Sequence, residues 1–267
     1  MKHFFNVKFL ATTFLLCGLA CSSSDSKTSS FDTPTTFFST MTQMTIEIAY
    51  EPGAEPYTGN APAIVGGKPL WDFVKDNLAA LFEGRSTAVA ITVPTTLEEM
   101  QAIPDQSKET FSSDAILAIA TTYRKGKSSA AEGNFFMVFL DGYYEENGAK
   151  NDSVIGVSIS GTTVLAMFKP VILSTSGGAA AVPKFVELTT AIHELGHALG
   201  LVNNGITMAA SHQDTDHGKH CNNDQCVMYY LNEGAADLKT FVTQILTTGN
   251  TIVYDTNCLN DARGFKP

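Results

Sequence analysis

An α+β (mixed α/β) domain is predicted by three features of the sequence. Short β-rich runs intermix with amphipathic helical stretches, no internal repeat interrupts them, and the most regular apolar stripe comes late, over residues 183–199. The composition supplies material for a core: of 267 residues, 44% are hydrophobic and 16% charged, as in ordinary globular chains.

The elements follow in chain order. Thr45 to Tyr50 (TIEIAY) alternates apolar and polar residues and reads as a strand, broken by Pro52-Gly53. Leu70, Phe73, Val74, Leu78 and Leu81 recur at helical spacing, which predicts a helix over 70–82. Ala88 to Val93 is β-rich and ends at Pro94, and Ser113 to Tyr123 reads as a second helix. Strands are predicted at Phe135–Leu140, Val154–Ser158 and Val164–Phe168, the last two joined by a turn at Ser160-Gly161. Pro183 suits a helix start, Phe185, Leu188, Ile192, Leu195 and Leu199 form one stripe, and Gly200 suits the C-terminal cap. Ala235 to Leu246 reads as a last helix.

The first residues stand apart from this fold. Lys2 and Lys8 precede a run from Phe9 to Ala20 that is almost wholly apolar. It is shorter than the ~20 residues a bilayer span needs, but it suits a signal peptide over residues 1–20. Gly18-Leu19-Ala20-Cys21, followed by Ser22 to Asp25, resembles a bacterial lipoprotein cleavage site. That resemblance implies lipidation of Cys21, export to the bacterial cell envelope and tethering to a membrane. Residues 21–43 are rich in Ser and Thr and are expected to be a flexible tether, leaving 44–267 as the folded domain. A net charge of −10 with no Lys/Arg cluster excludes a nucleic-acid partner.

Of six histidines, all but His3 lie between residues 193 and 220, a clustering that points to metal rather than to packing. His193-Glu194-Leu195-Gly196-His197 is an HExxH pattern on the late helix. Residues four apart share a helical face, so both imidazoles can reach one Zn²⁺ at ~2.0–2.1 Å. Glu194, rotated ~100° from His193, can stand beside the ion as general base toward its water, whose pKa zinc brings to ~7. The pattern points to hydrolysis of peptide bonds; a non-peptide amide hydrolase and a non-catalytic zinc-binding surface lipoprotein are the alternatives. An intact Glu194 disfavours the last, since binding needs no base.

The continuation resembles a known family. His193 to Gly200 (HELGHALG) is similar to the opening of the metzincin signature HExxHxxG, although Asn203 stands where that pattern has its third ligand. His220 to Met228 reads HCx4CxM, which archaemetzincins carry directly after HExxHxxG; here residues 203–219 are inserted between the halves. The resemblance covers roughly residues 183–230. It implies a zincin-like catalytic domain with a twisted mixed sheet, an edge strand bordering a cleft for protein or peptide substrate, and zinc metalloendopeptidase activity. It further implies His220 as third zinc ligand and Met228 as the turn methionine beneath the metal. The hairpin at 154–168 is the expected edge.

Archaemetzincins also hold a second zinc with four cysteines ending in Cx2C; no Cx2C follows here, so that site is expected to be absent. Cys221 and Cys226 are then free to pair. Beyond the leader only Cys221, Cys226 and Cys258 remain, so one disulfide and one thiol is the simplest arrangement in an oxidising compartment. Cys221–Cys226 is the first expectation and a bridge to Cys258 its rival. Two further readings stay open. Asn232 to Asp237 resembles the NExxxD segment of gluzincins, which would make Glu233 the third ligand and set Asp237 in the second shell; His217 is another candidate. His212, Asp214, Asp216 and His217 form a polar loop that reads as solvated or as an auxiliary calcium or zinc site.

Overall fold

The computed structural model describes residues 29–176 and 179–266. The expected signal peptide and lipidation site at Cys21 lie outside the described residues. Among the described residues, no helix is long and apolar enough to cross a membrane.

The chain folds around a mixed sheet. Strand β1 (Gln43–Tyr50) pairs in parallel with β2 (Ala90–Thr92) and, further along, with β3 (Gln101–Ala102). On its other side β1 runs parallel to β5 (Glu132–Leu140), which pairs in parallel with β9 (Val164–Phe168). The edge is β8 (Gly156–Ser158), antiparallel to β9, so the order is β2-β1-β5-β9-β8. Gly133 to Leu140 of β5 are all buried, as in a central strand covered on both faces. A small sheet of β4 (Thr110–Phe111), β6 (Tyr143–Glu146) and β7 (Ala149–Asn151) sits to one side.

Helices α2 (Asp72–Leu81) and α3 (Ser113–Tyr123) follow the predicted stripes. The central helix α5 (Val182–Leu199) buries nearly its whole length against β8, β9 and α2, and against α6 (Ala235–Thr248). Phe73 of α2 meets Phe185 of α5 edge-on at 5.3 Å, a geometry aromatic rings prefer. A helix buried on all sides has little freedom to tilt, and the site residues it carries inherit that rigidity.

The tether expected over 21–43 is corrected in its second half. Residues 34–39 form helix α1 (Pro34–Ser39), capped by Thr33, and Phe37, Phe38 and Met41 are buried. Ser/Thr-rich composition suggested solvation, but three large apolar side chains in five positions are enough to dock the segment. Phe37 packs on Phe135 of β5 at 5.1 Å. Two more helices, α4 (Lys169–Ser174) and α7 (Thr256–Gly264), were not predicted.

Candidate metal centre

Helix α5 ends where its sequence says it should. Gly200 adopts φ +91°, and its N–H closes the last turn on Gly196 and His197. A Cβ at Gly200 would sit 2.6 Å from Pro34 Cγ, so the N-terminal segment packs against this turn only because glycine is there. The next residues bend sharply, with Val202 at φ +52° and Asn203 at φ +57°. The inserted loop then folds back through β10 (Gln213–Asp214) and β11 (His220–Cys221), which pair antiparallel. Lys219 Nζ donates to Asn203 O at 2.7 Å and pins the loop's two ends together.

This fold-back carries His220 to the motif helix. His197 Nε2 lies 3.0 Å from His193 Nε2 and 3.2 Å from His220 Nε2. His193 Nδ1 donates to Val227 O at 2.7 Å, and His220 Nδ1 donates to His217 O at 2.6 Å. Both rings are therefore fixed as Nδ1–H tautomers, with Nε2 lone pairs turned toward one point. Burial, followed by the like charges of His193 and His220, drives the His197 pKa well below the usual imidazole range; a neutral ring is the form a metal binds. Bond lengths of about 2.0–2.1 Å require tetrahedral donors about 3.3 Å apart, and the observed spacings match. The donor set fits a zinc ion.

Glu194 stands on the same helix and is buried. Burial pushes its pKa up to about 7, with Glu233 adding to the rise, while His193, His220 and a hydrogen bond from the Ser158 N–H oppose it. Ser158 ends the edge strand β8, so strand and base are in direct contact. Gly156 makes the approach possible: a Cβ there would lie 2.7 Å from Thr190 Cγ2 and 3.2 Å from Glu194 Cγ. A cleft of 480 Å³ opens beside them, lined among others by Ser158, His197, His220 and Glu233.

Met228 is fully buried beneath α5. A Cβ on Gly196 would collide with the Met228 sulfur, so the glycine inside HELGH has a packing reason. Gly196→Ala is expected to cost ~1–3 kcal/mol through overpacking, read as a lower denaturation midpoint. Stability equal to wild type would show that Met228 does not pack there.

Glu233 also reaches the cluster. Its Oε1 lies 2.9 Å from His220 Nε2 and 3.7 Å from His193 Nε2. His220 and Glu233, set against each other as third ligands by the sequence, are thus both present, and the four ligand atoms lie within 4.8 Å of one another. His217 is not among them: its ring stacks on Tyr230 at 3.6 Å and bonds Asp214 Oδ2. Asp237 is exposed at the start of α6.

The cysteines correct two expectations. Cys221, Cys226 and Cys258 are all free and buried, so the Cys221–Cys226 bridge is not formed. Cys226 Sγ lies 3.5 Å from Cys258 Sγ, and Cys221 Sγ lies 3.3 Å from His212 Nδ1. A third thiol and an imidazole share the pocket that a single bridge was expected to fill. Hydrogen bonds from Cys226 and Cys258, with a further one from His212, hold the Cys221 thiol far below the usual thiol range. His212, Cys221, Asp255 and Cys258 place ligand atoms within 4.8 Å of one another. The absence of Cx2C therefore does not remove a second metal-capable cluster. His212, read as solvated or as part of an auxiliary metal site, is buried, with Nε2 2.6 Å from Asp261 Oδ2.

No protein-family model and no curated protein matches this chain. Its fold is similar to a zinc-dependent peptidase from Methanocorpusculum labreanum, with 13% identity, a TM-score of 0.40, and coverage of 77% of this chain and 100% of that one. It is similar to archaemetzincin from Methanopyrus kandleri, with 11% identity, a TM-score of 0.43, and coverage of 85% and 96%. The third likeness is to archaemetzincin from Archaeoglobus fulgidus in complex with malonate, with 15% identity, a TM-score of 0.39, and coverage of 82% and 99%.

Proposed function

We propose that the protein is a zinc-dependent metalloendopeptidase of metzincin type. The observation that carries this reading is the meeting of three Nε2 atoms, from His193, His197 and His220, one residue from the buried carboxylate of Glu194. A bound zinc ion would polarise a peptide carbonyl and lower the pKa of water toward ~7.

The chain's own residues do the rest. The three imidazoles would hold the ion, two of them locked in tautomer by backbone carbonyls. Glu194, with a pKa near 7, can take a proton from the attacking water and pass it to the leaving amine, since such a group exchanges protons readily at neutral pH. The Ser158 N–H orients that carboxylate. Strand β8 ends the sheet, so its outer edge can pair with an extended peptide lying across the cleft.

Incubating the zinc-loaded protein with a mixed peptide library tests the reading. Internal cleavage that stops on chelation and returns with zinc is expected. Intact peptides beside a fully loaded protein would contradict it.

A further inference from the structure

We propose that Glu233 is a fourth ligand of the same metal, closing the position that a catalytic centre leaves open, and that substrate must displace it. The inference rests on the metal centre proposed above.

Three independent observations converge on it. First, the four donors gather around one point: His193–His197, His197–His220, His220–Glu233 and His193–Glu233 are separated by 3.0, 3.2, 2.9 and 3.7 Å, and all four ligand atoms lie within 4.8 Å of one another. Tetrahedral donors about 2.0–2.1 Å from one ion sit about 3.3 Å apart, a value these four distances bracket, and Glu233 stands where a three-histidine site would admit water. Second, Glu233 differs from the other donors in burial. Its side chain is 51% exposed, against 1% for His193 and 10% for His220. His197 is half-buried, so Glu233 is the one exposed donor of the four and can leave the ion by rotating toward solvent without opening the core. Third, it ends a 3₁₀ turn (Tyr230–Glu233), and the next residue, Gly234, forms an isolated β-bridge with Val154, two residues before β8. A peptide pairing with the edge strand would lie beside this bridge and press on the carboxylate it must replace.

The resting site is thus closed, and occupancy of the edge strand opens it.

Cobalt-substituted protein tests the proposal, with visible absorption and acetohydroxamate binding as readouts. Glu233→Ala and Glu233→Gln should keep the ion, bind it at least ~10-fold more weakly, the lower bound for losing even an outer-shell carboxylate, and show an altered d–d spectrum. Acetohydroxamate should bind these variants faster and more tightly than wild type, because no carboxylate stands in its way. A spectrum, metal affinity and hydroxamate affinity all equal to wild type would overturn the proposal while leaving the metal centre standing. A wild type that takes up no cobalt at the three histidines would overturn both.

Discussion

Replacing Glu194 with Gln is expected to leave the metal in place while peptide turnover falls ~10²–10⁴-fold, the usual contribution of a positioned general base. The amide keeps the volume and can still accept from the Ser158 N–H, so the cleft should hold its shape. Only the capacity to take and return a proton is lost. The effect should fall on kcat with KM little changed, because Glu194 acts on the reacting atoms rather than on the bound strand. Metal analysis alongside steady-state kinetics checks it. A Gln variant that turns over at the wild-type rate would remove Glu194 from the chemistry.

The second large effect concerns stability. Glu187 lies two turns before Glu194 on α5 and is fully buried. Its Oε2 meets Lys169 Nζ at 2.6 Å, its Oε1 accepts from the Tyr57 N–H at 2.6 Å, and Lys169 Nζ sits 3.8 Å from the Tyr57 ring centroid. The group joins two separate segments, around Tyr57 and Lys169, to the helix that carries the metal ligands. Burial pushes the Glu187 pKa up to about 7 against the opposing pull of Lys169, a measure of how dry the site is. Glu187→Ala leaves an ammonium without its partner and is expected to cost ~3–5 kcal/mol. Changing both residues to apolar ones of similar volume should recover most of that loss. Urea unfolding of the two variants distinguishes the outcomes; a Glu187→Ala variant within ~1 kcal/mol of wild type would show that the pair is solvated.

What the sequence revealed and what it hid follow from range. The motif helix was legible because its signals are local: Pro183, a stripe at spacings of three and four, and Gly200. The strands at 45–50, 135–140 and 164–168 were legible for the same reason. Helix α1 was missed because Ser and Thr outnumber the few apolar residues whose burial depends on β5, far along the chain. Helix α7 was missed because its sequence, TNCLNDARG, is mostly polar, although Asp255 caps it with a bond from the Cys258 N–H and could have been read as a start signal. The burial of His212 could not be read at all, since its partner Asp261 lies 49 residues on. The same holds for the cysteines: Cys258 joins Cys226 from 32 residues away, and no spacing rule connects them. For the third ligand the sequence offered His220 and Glu233 as exclusive answers, whereas the fold-back of residues 203–219 brings His220 to the point that Glu233 reaches from the 3₁₀ turn at Tyr230–Glu233.

The central claim is that His193, His197 and His220 together hold one metal ion. Metal content after exhaustive dialysis, measured on wild type, His220→Ala and His217→Ala, tests it most directly. His220→Ala should lose one equivalent relative to wild type, and His217→Ala, whose ring stacks on Tyr230 away from the cluster, should lose none. A His220→Ala variant that keeps its full complement of metal would contradict the account.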